Sequence, residues 1–253
     1  MFLDFSKKEY KFRDVHSRFK PVFSKEEIEY IIDTYFPDAF NTGSVRLDSI
    51  DIKENEIILN LAKTDFYSLL VSNILYRKEF FKETKQVKEF KKQSVNDFSV
   101  LDNKNFSNNL AISVLIEDLN NNKLIVKRAK NLAIGSSLFS VSVTGGVDLA
   151  DLEENNPVFS AVKRETMEEL GIIVNDDDIV LDGIYIGPQK LQPIALCTVK
   201  LKDTFEVYGF NGKDTDFEIE EFFIVPEKTL SQFLNFSMTE ATKFQIESVL
   251  GKL

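Results

Sequence analysis

Three glutamates in one short segment have the type and spacing needed to bind a hard divalent cation. Glu165, Glu168 and Glu169 lie within five consecutive residues, so a helix would bring their side chains to neighbouring positions on its surface. The apolar stripe of that helix adjoins Glu165 and Glu169, which predicts that both carboxylates are partly removed from water. Two such carboxylates repel each other by roughly 3 kcal/mol at an effective dielectric constant of 20. A divalent cation such as Mg²⁺ or Mn²⁺ would remove that cost.

An acidic run on a helix is commonly no more than its solvated face. In this segment, however, the face expected in water carries Ser160, Lys163 and Arg164. Arg164 could orient the carboxylate of Glu168 four residues on, or it could form a surface ion pair of little energetic value. We favour the orienting role.

The acidic helix has defined ends and a glycine pair upstream. Asn156 is suited to the N-cap and Pro157 to the first helical position, while Gly171 stands where a left-handed residue ends many helices. The pair Gly145 and Gly146 would let the backbone turn and approach a ligand without a Cβ. Glycine pairs are also ordinary turn residues, but ahead of an acidic helix we interpret this one as a phosphate and metal loop.

Hydrophobic patterning predicts an α+β chain with an N-terminal region of its own. A capping box begins a helix over residues 22–36, and alternating apolar residues predict a β-hairpin over 44–61. Residues 65–94 are expected to be largely helical, with a solvated face over 77–92, where a basic nucleic-acid patch is the alternative. The polar stretch 93–109 is expected to be a linker or a long surface loop.

Strands on both sides of the acidic helix predict a mixed sheet covered by helices. The expected strands span 110–116, 123–128, 138–143, 179–186, 192–201 and 218–225. The expected helices span 157–170, 227–234 and 239–250. The chain is therefore predicted to have two domains, a smaller α+β domain over residues 1–105 and a larger domain over 106–253.

Charge and cysteine content exclude several classes of partner. The formal net charge of −10 disfavours nucleic acid, since affinity for a phosphate backbone comes largely from Lys and Arg. The single cysteine, Cys197, excludes an intramolecular disulfide and favours a reducing compartment. The sequence has neither an apolar run of about 18 residues nor the apolar core of a secretory signal. We therefore expect a cytoplasmic protein without a membrane partner.

The segment Arg164–Ile172 resembles the second half of the Nudix signature, G-x5-E-x7-R-E-U-x-E-E-x-G-U, with every fixed residue of that half present. The first half departs from the pattern. The loop after Gly146 is four residues longer than the pattern has it, and Asn156 stands where the family has a glutamate. Glu153 or Glu154 is our prediction for the missing acid.

The Nudix resemblance implies a fold and an activity. The fold is an α/β/α sandwich with a mixed sheet, and the activity is Mg²⁺-dependent hydrolysis of a nucleoside diphosphate linkage. It also implies that Glu165, Glu168, Glu169 and the carbonyl of Gly146 are metal ligands. Arg164 would complete the catalytic group, and Glu165 or a loop acid would help to deprotonate water.

Two further segments of the same region resemble parts of Nudix proteins. Residues 124–128 are similar to an early strand that ends in a basic residue, which makes Arg128 a candidate substrate contact. Residues 218–226 are similar to a late strand that follows an acidic substrate loop. Glu218 or Glu220 could supply a further carboxylate there, or either could be an ordinary acid at a strand edge.

A narrower likeness concerns the N-terminal region. Residues 44–49 and 59–73 resemble the N-terminal segment of Nudix UDP-glucose/UDP-galactose diphosphatases. The likeness implies a nucleotide-sugar substrate and an N-terminal domain that shapes the substrate site or forms a homodimer. It makes Arg46, Tyr67 and Asn73 candidate substrate or interdomain contacts, although each could equally be structural.

Two other functions remain open at this stage. The longer loop and Asn156 also suit a Nudix-fold nucleotide-binding or regulatory module that has lost hydrolysis, because fold does not dictate function. Isomerase chemistry on an isoprenyl diphosphate is disfavoured, because the only thiol, Cys197, and the only imidazole, His16, both lie far along the sequence from the signature.

Overall fold

The computed structural model describes residues 1–74 and 97–252, and within them the chain is α+β. Five α-helices are described: α1 (Lys25–Tyr35), α2 (Phe66–Leu69), α3 (Pro157–Leu170), α4 (Thr215–Glu218) and α5 (Glu240–Val249). A π-turn spans Leu70–Ile74, and 3₁₀ segments span Phe98–Asp102, Leu149–Glu153, Asp176–Asp178, Phe205–Val207 and Glu227–Asn235.

Eleven strands are described in the same residues. They are β1 (Phe2–Asp4), β2 (Glu9–Arg18), β3 (Gly43–Ile52), β4 (Glu56–Asp65), β5 (Ala111–Glu117), β6 (Asn122–Arg128), β7 (Phe139–Val141), β8 (Val143–Gly146), β9 (Ile179–Ile186), β10 (Pro193–Lys200) and β11 (Ile219–Pro226). The strands form an eight-stranded mixed sheet and a three-stranded sheet. The expected α+β class with a large mixed sheet is confirmed.

The order of the larger sheet is β1-β9-β10-β5-β6-β11, with β7 paired to β6 and β8 paired to β5. In the smaller sheet β4 lies between β2 and β3, parallel to β2 and antiparallel to β3. The pairing of β3 with β4 confirms the predicted hairpin.

The chain separates into two compact units that are not continuous in sequence. Unit 1 consists of Met1–Ala111, Gly146–Pro157 and Ile184–Ile194. Unit 2 consists of Ile112–Gly145, Val158–Gly183 and Ala195–Leu253. Whether residues 1–105 and 106–253 are domains that fold separately stays a prediction.

Unit 2 has a core of aliphatic side chains with phenylalanines packed against it. The buried members are Leu115, Ile125, Val141, Val225, Leu230 and Ile246. The ring of Phe139 lies 5.4 Å from that of Phe223 and 5.8 Å from that of Phe233, between centroids. Aromatic rings therefore fill the space beside the strands, in a chain that has 23 phenylalanines and no tryptophan.

Most predicted elements are found within two or three residues of their expected bounds, and a few differ in kind. The strand expected over 138–143 is two strands, β7 and β8, and the helix expected over 227–234 is a 3₁₀ segment. Only residues 65–74 of the helix expected over 65–94 fall in the described part; Asp65 ends β4, and residues 66–74 are helical. The face expected over 77–92 lies outside the described residues.

The expectation of a linker or surface loop over 93–109 is wrong for residues 106–109, which are buried. Residues 98–102 form a 3₁₀ segment, and Ser107, Asn108 and Asn109 are buried. Their side chains satisfy one another and nearby backbone groups: Ser107 Oγ lies 3.0 Å from Thr64 Oγ1, and Asn108 Nδ2 donates to the carbonyl of Leu101 at 3.2 Å. Hydrogen bonds of this kind offset the cost of burying polar side chains, although Asn108 Oδ1 has no hydrogen-bond partner among the described residues.

Strands β1 and β2 were missing from the sequence-based expectations. Along β2 charged residues alternate with Tyr10 and Phe12, which are half-buried. Charged side chains of this kind are tolerated on the solvent face of a strand.

Within residues 1–74 and 97–252, every helix is too short or too polar to span a bilayer.

Candidate functional site

Helix α3 places Glu165 and Glu169 beside its buried face. Val158, Val162 and Leu170 are fully buried on that face. Gly171 has a φ of 71° and follows the last helical residue, as predicted, and its N–H donates to the carbonyl of Met167 at 3.0 Å. Glycine adopts this left-handed conformation without the strain that a Cβ would cause, so it is well suited to end the helix.

The last carbonyls of α3 are capped by a loop that comes 40 residues later, over residues 211–215. The N–H of Asn211 donates to the carbonyl of Leu170 at 3.1 Å, and that of Asp214 donates to the carbonyl of Glu168 at 2.9 Å. The hydroxyl of Thr215 donates to the carbonyl of Glu169. These bonds satisfy carbonyls that a helix end leaves without partners, and they fix the loop on the acidic end of α3.

Glu169 is a buried carboxylate, with 3% of the residue exposed. Its Oε1 accepts a hydrogen bond from the backbone N–H of Thr144 at 3.3 Å. Burial raises the pKa of Glu169 well above its ordinary value, and the negative charges of Glu218 and Glu165 raise it further, while Arg128 opposes the shift. These surroundings therefore disfavour the ionised form of Glu169 in the absence of a cation.

Glu165 has a pKa raised from 4.5 to about 7, mainly by burial. The nearby charges of Glu168 and Glu218 add to the shift. Arg164 opposes it and donates from Nη1 to Glu165 Oε1 at 2.8 Å. A carboxyl that titrates near neutral pH is suited to proton transfer.

Gly145 leaves the space that the Glu165 carboxylate occupies. A Cβ at position 145 would lie 2.1 Å from Glu165 Oε1 and 2.7 Å from Glu165 Cγ. Gly146, the last residue of β8, has room for a Cβ, whose nearest neighbour would be Asp148 Oδ1 at 3.9 Å. The close approach of backbone to carboxylate therefore depends on Gly145.

Glu168 is the most solvent-accessible of the three glutamates, with 25% of its side chain exposed. Lys213 Nζ lies 2.8 Å from its Oε1, and Arg164 Nη1 lies 3.5 Å from its Oε2. Arg164 and Glu168 are therefore paired, while the orienting role of Arg164 stays a prediction, and Arg164 contacts Glu165 more closely. The hydrogen bond to Glu168 raises the pKa of Lys213.

Arg128 and Glu218 form a second charged pair near the carboxylates of Glu165 and Glu169. Arg128 donates to the hydroxyl of Thr144 and to the carbonyl of Ile134, and its Nη2 lies 3.7 Å from Glu218 Oε2. Burial raises the pKa of Glu218, while Arg128 opposes the shift. The charge of Glu218 acts on Glu165 and Glu169.

Glu220, the other acid considered for this role, has different surroundings. Its Oε1 lies 3.0 Å from the ammonium of Lys127, which lowers the pKa of Glu220. It is exposed on β11 and forms an ordinary cross-strand ion pair. Of the two candidates, Glu218 is therefore the one that belongs to the acidic group.

The chemistry of the donor set fits a hard divalent cation. Burial and mutual repulsion raise the pKa of both Glu165 and Glu169, and Gly145 makes room for the carboxylate of Glu165. Oxygen ligands of this type are preferred by Mg²⁺ and Mn²⁺. Among residues 1–74 and 97–252, however, no group of three or more acidic, histidine or cysteine side chains is arranged to hold a metal ion. The set has the right ligands and is not assembled around a common point.

The loop that departs from the signature is folded within unit 1. Leu149–Glu153 is a 3₁₀ segment, and the backbone N–H of Asp148 donates to Asp151 Oδ2 at 2.8 Å. Leu149 packs on β3 where a Cβ at Gly43 would be 2.6 Å from its Cδ1. Glu153 and Glu154 are exposed, and the role of either as the missing acid stays a prediction.

Arg46 lies inside unit 1, with 2% of its side chain exposed. Its Nε donates to Asp48 Oδ1 at 2.9 Å, Nη1 donates to the carbonyl of Phe106, and Nη2 donates to the carbonyl of Leu101 at 3.3 Å. The guanidinium carbon lies 5.2 Å from the ring centroid of Phe19. These contacts are those of a structural residue.

Tyr67 and Asn73, the other two N-terminal candidates, also have partners within unit 1. The hydroxyl of Tyr67 donates to the carbonyl of Ala39 at 3.0 Å. Asn73 is fully buried, and its Nδ2 donates to the carbonyl of Lys190 at 3.1 Å. Their roles as substrate or interdomain contacts stay predictions, as does that of Arg46.

Sequence reasoning missed Thr144, Lys213 and the loop over 211–215. Thr144 directly precedes the glycine pair, so its position was a usable signal. Lys213 is one lysine in a polar loop, and nothing in the sequence ties it to Glu168, 45 residues earlier. A contact of that kind is visible only in the folded chain.

A scan against protein-family models found no match, and a search of curated proteins found none either. Solved structures similar to this chain include Nudix proteins. The NUDIX domain of Shewanella oneidensis NrtR, solved in complex with ADP ribose, is 11% identical, with a TM-score of 0.44, and the match covers 67% of this chain and 99% of that one.

Two further solved structures have similar statistics. The MutT protein from Methanosarcina mazei Go1 is 14% identical, with a TM-score of 0.41, over 57% of this chain and 94% of that one. A MutT/nudix family protein from Enterococcus faecalis is 12% identical, with a TM-score of 0.35, over 59% of this chain and 52% of that one.

Proposed function

We propose that this chain is a Nudix-type hydrolase that uses Mg²⁺ or Mn²⁺ to cleave the diphosphate linkage of a nucleoside diphosphate derivative. The observation that carries the proposal is a pair of carboxylates on one helix: Glu169 is buried, and Glu165 is partly buried and lies against Gly145. Acids that are removed from water and repel one another destabilise a fold unless a cation compensates for their charge. Groups with pKa values raised in this way cluster at functional sites. The order of Glu165 and Glu169 in the sequence is also that of the Nudix signature.

Glu165, Glu168, Glu169 and the carbonyl of Gly146 would hold the cation. When bound, the cation would acidify the attacking water and screen the negative charge of the diphosphate. Glu165 or an acid of the loop after Gly146 would accept a proton from that water. Hydrolysis adds the water oxygen to one phosphorus, and the bridging oxygen leaves with the other phosphate.

The substrate we propose is a nucleotide sugar such as UDP-glucose, cleaved to a nucleoside monophosphate and a sugar phosphate. The similarity of residues 44–49 and 59–73 to nucleotide-sugar diphosphatases supports this choice. Arg128, with Glu218 beside it, supplies a cation near the acidic group for a phosphate of the substrate. A free, buried Cys197 and a net charge of −10 fit a cytoplasmic protein with a small-molecule substrate.

The test is a substrate panel with Mg²⁺ as the cation. UDP-glucose, dinucleotide polyphosphates and nucleoside triphosphates are incubated with the protein, and phosphate-containing products are separated and quantified. We expect UMP and glucose 1-phosphate from UDP-glucose, and no turnover in excess EDTA. Cleavage of triphosphates alone would reject the nucleotide-sugar proposal, and cleavage of no compound would reject the enzyme.

A second candidate function is a Nudix-fold module that binds nucleotides without hydrolysing them. The specific observation in its favour is that the chain's own cations already neutralise two of the acids, with Arg164 on Glu165 and Lys213 on Glu168. Titration calorimetry separates the two functions. A nucleotide sugar that binds with Mg²⁺ and is recovered intact supports the module.

A further inference from the structure

Lys213 is held on the acidic end of α3 by the backbone of its own loop. The residues on either side of it, Gly212 and Asp214, lie against the carbonyl of Glu168: a Cβ at Gly212 would be 2.2 Å from that oxygen, and the N–H of Asp214 donates to it at 2.9 Å. The hydroxyl of Thr215 donates to the next carbonyl, that of Glu169. The position of Lys213 relative to Glu168 is therefore set by main-chain contacts, while the ammonium lies at the end of a flexible side chain.

The ammonium of Lys213 occupies the carboxylate oxygen of Glu168 that would otherwise be available to bind a metal ion. It lies 2.8 Å from Oε1, and Arg164 lies 3.5 Å from Oε2, so both oxygens of this carboxylate face positive groups of the chain. An oxygen that accepts from an ammonium cannot offer the same lone pair to a metal ion, and a positive charge at this distance also repels a second cation.

Lys213 is the more easily displaced of the two positive groups. Arg164 contacts Glu165 at 2.8 Å as well as Glu168, and 25% of its side chain is exposed. Lys213 is 66% exposed, so its ammonium can return to water at little cost. A divalent charge would replace a single one at Glu168, which favours the exchange.

We propose that Lys213 is a built-in counter-ion of Glu168, a positioning residue that keeps this carboxylate paired in the cation-free protein and yields it when the divalent cation binds. The inference rests on the proposed function, since it concerns the same cation site. It assigns a role to the loop over 211–215, which lies outside the signature segment. Its consequence is that the positive charge at position 213 lowers the affinity of the site for divalent cations.

The experiment measures cation affinity directly and without substrate. The metal-free full-length protein is titrated with Mn²⁺ at low ionic strength, and free Mn²⁺ is followed by electron paramagnetic resonance. Lys213→Met should bind Mn²⁺ about three- to tenfold more tightly than the wild type, the range expected for removing one partly screened charge, and Lys213→Arg should bind as the wild type does. Lys228→Met, which removes a lysine from an exposed position elsewhere, controls for the change in net charge.

A second pair of variants tests whether Lys213 acts through Glu168. In a Glu168→Gln background the substitution Lys213→Met should no longer change the dissociation constant for Mn²⁺, whereas a general electrostatic effect would persist. Thermal unfolding of each variant in EDTA verifies that it is folded, and Lys213→Gln replaces Lys213→Met if the latter is not.

The outcomes distinguish this inference from the proposed function. Wild-type and Lys213→Met proteins with the same Mn²⁺ affinity overturn the counter-ion role, even if both hydrolyse UDP-glucose. Failure of every variant to bind Mn²⁺ overturns both the role and the cation site. Tighter binding by Lys213→Met, lost in the Glu168→Gln background, supports the role whether or not the substrate panel identifies a substrate.

Discussion

The carboxylate of Glu169 is buried near other acids. Its charge should therefore lower the free energy of unfolding of the cation-free protein, while it contributes to binding the cation. Glu169→Gln keeps the oxygen that accepts from Thr144 and removes the charge that Glu218 and Glu165 oppose. We expect this variant to lose at least about 100-fold in Mg²⁺-dependent turnover. We also expect it to unfold at a higher temperature than the wild type in EDTA at neutral pH, because a neutral amide costs less to bury than a repelled carboxylate. Steady-state rates and thermal unfolding measure the two effects.

The matched control is Glu221→Gln, which neutralises an exposed acid on β11. It should change neither turnover nor unfolding temperature. A Glu169→Gln protein that keeps more than about a tenth of the activity would exclude Glu169 from the catalytic group.

The raised pKa of Glu165 leads us to expect that the stability of the cation-free protein depends on pH. Its pKa is about 7 in the folded chain against 4.5 for the ordinary carboxyl. Between these two values the folded state holds a proton that the unfolded state has released, so the free energy of unfolding falls as pH rises from about 4.5 to about 7 and levels off above that. The expected loss from this group alone is on the order of 3 kcal/mol. Unfolding by urea in EDTA at a series of pH values measures it.

Glu165→Gln is the control for this pH dependence. The fall between pH 4.5 and 7 should become smaller in the variant, with a remainder from Glu169, whose pKa is shifted in the same direction. A wild-type protein that becomes more stable over this interval would contradict the assignment of a buried, protonated carboxyl.

At the scale of single residues, the sequence predicted the environment of the acids better than their partners. The helical spacing of Glu165 and Glu169 beside an apolar stripe was sufficient to expect partial burial. Lys213 and Thr144 approach these acids from distant parts of the chain, and such contacts leave no periodic pattern. Arg46 was a candidate because of its place in a motif, but the carbonyls that bind its guanidinium come from residues 101 and 106.

At the scale of elements, β8 and α3 meet at Gly145. In Gly145→Ala the new methyl group would displace the Glu165 carboxylate, which is the end of a flexible side chain, so the fold should persist. Turnover and Mn²⁺ affinity should fall at least about tenfold, since a displaced ligand loses much of its contribution. Gly146→Ala, which has room for a Cβ and keeps its carbonyl, is the matched control and should resemble the wild type in both measurements.

The contacts between the loop over 211–215 and helix α3 should contribute to the stability of the protein. In Gly212→Ala the Cβ would lie 2.2 Å from the carbonyl oxygen of Glu168 and 2.6 Å from the carbonyl carbon of Glu169. Backbone atoms cannot move aside as a side chain can, so the loop must lift from α3, at a cost of about 1–3 kcal/mol. Urea unfolding measures the cost, and Gly209→Ala, whose Cβ would come no closer than 3.9 Å to Asn211, should be near neutral. Equal stability of the two variants would show that the loop is not fixed to the helix.

Both ends of helix α3 could be predicted to the residue because each is marked by a residue type with a known preference for that position. Pro157 opens it, and Gly171 follows its last residue, and each acts through its own backbone rather than through a distant partner. The prediction of a surface loop over 93–109 was wrong at its end for the opposite reason. Ser107, Asn108 and Asn109 resemble a loop by composition, but they are buried and form hydrogen bonds with one another and with residues such as Thr64.

At the scale of the whole molecule, the division into two units does not follow the order of the chain. Residues 146–157 and 184–194 come from the C-terminal half of the sequence and belong to unit 1. Hydrogen bonds connect both segments to the N-terminal region: the N–H of Val45 donates to the carbonyl of Val147 at 2.8 Å, and the N–H of Ile186 donates to the carbonyl of Met1 at 2.9 Å. Sequence reasoning placed a boundary at the polar stretch before residue 106 because composition changes there, and composition carries no information on which segments return to an earlier unit.

The fragment over residues 106–253 therefore tests the predicted domain boundary. It would retain the candidate catalytic helix but lose the partners of residues 146–157, including β3, where Gly43 and Val45 contact that loop. We expect the fragment to unfold at a lower temperature than the full chain, or with lost cooperativity, because apolar side chains such as Val147 would become exposed. Calorimetry of the fragment and of the full chain measures this, and co-expression with residues 1–105 should restore the stability. A fragment that unfolds cooperatively at the temperature of the full chain would instead establish residues 106–253 as a domain that folds on its own.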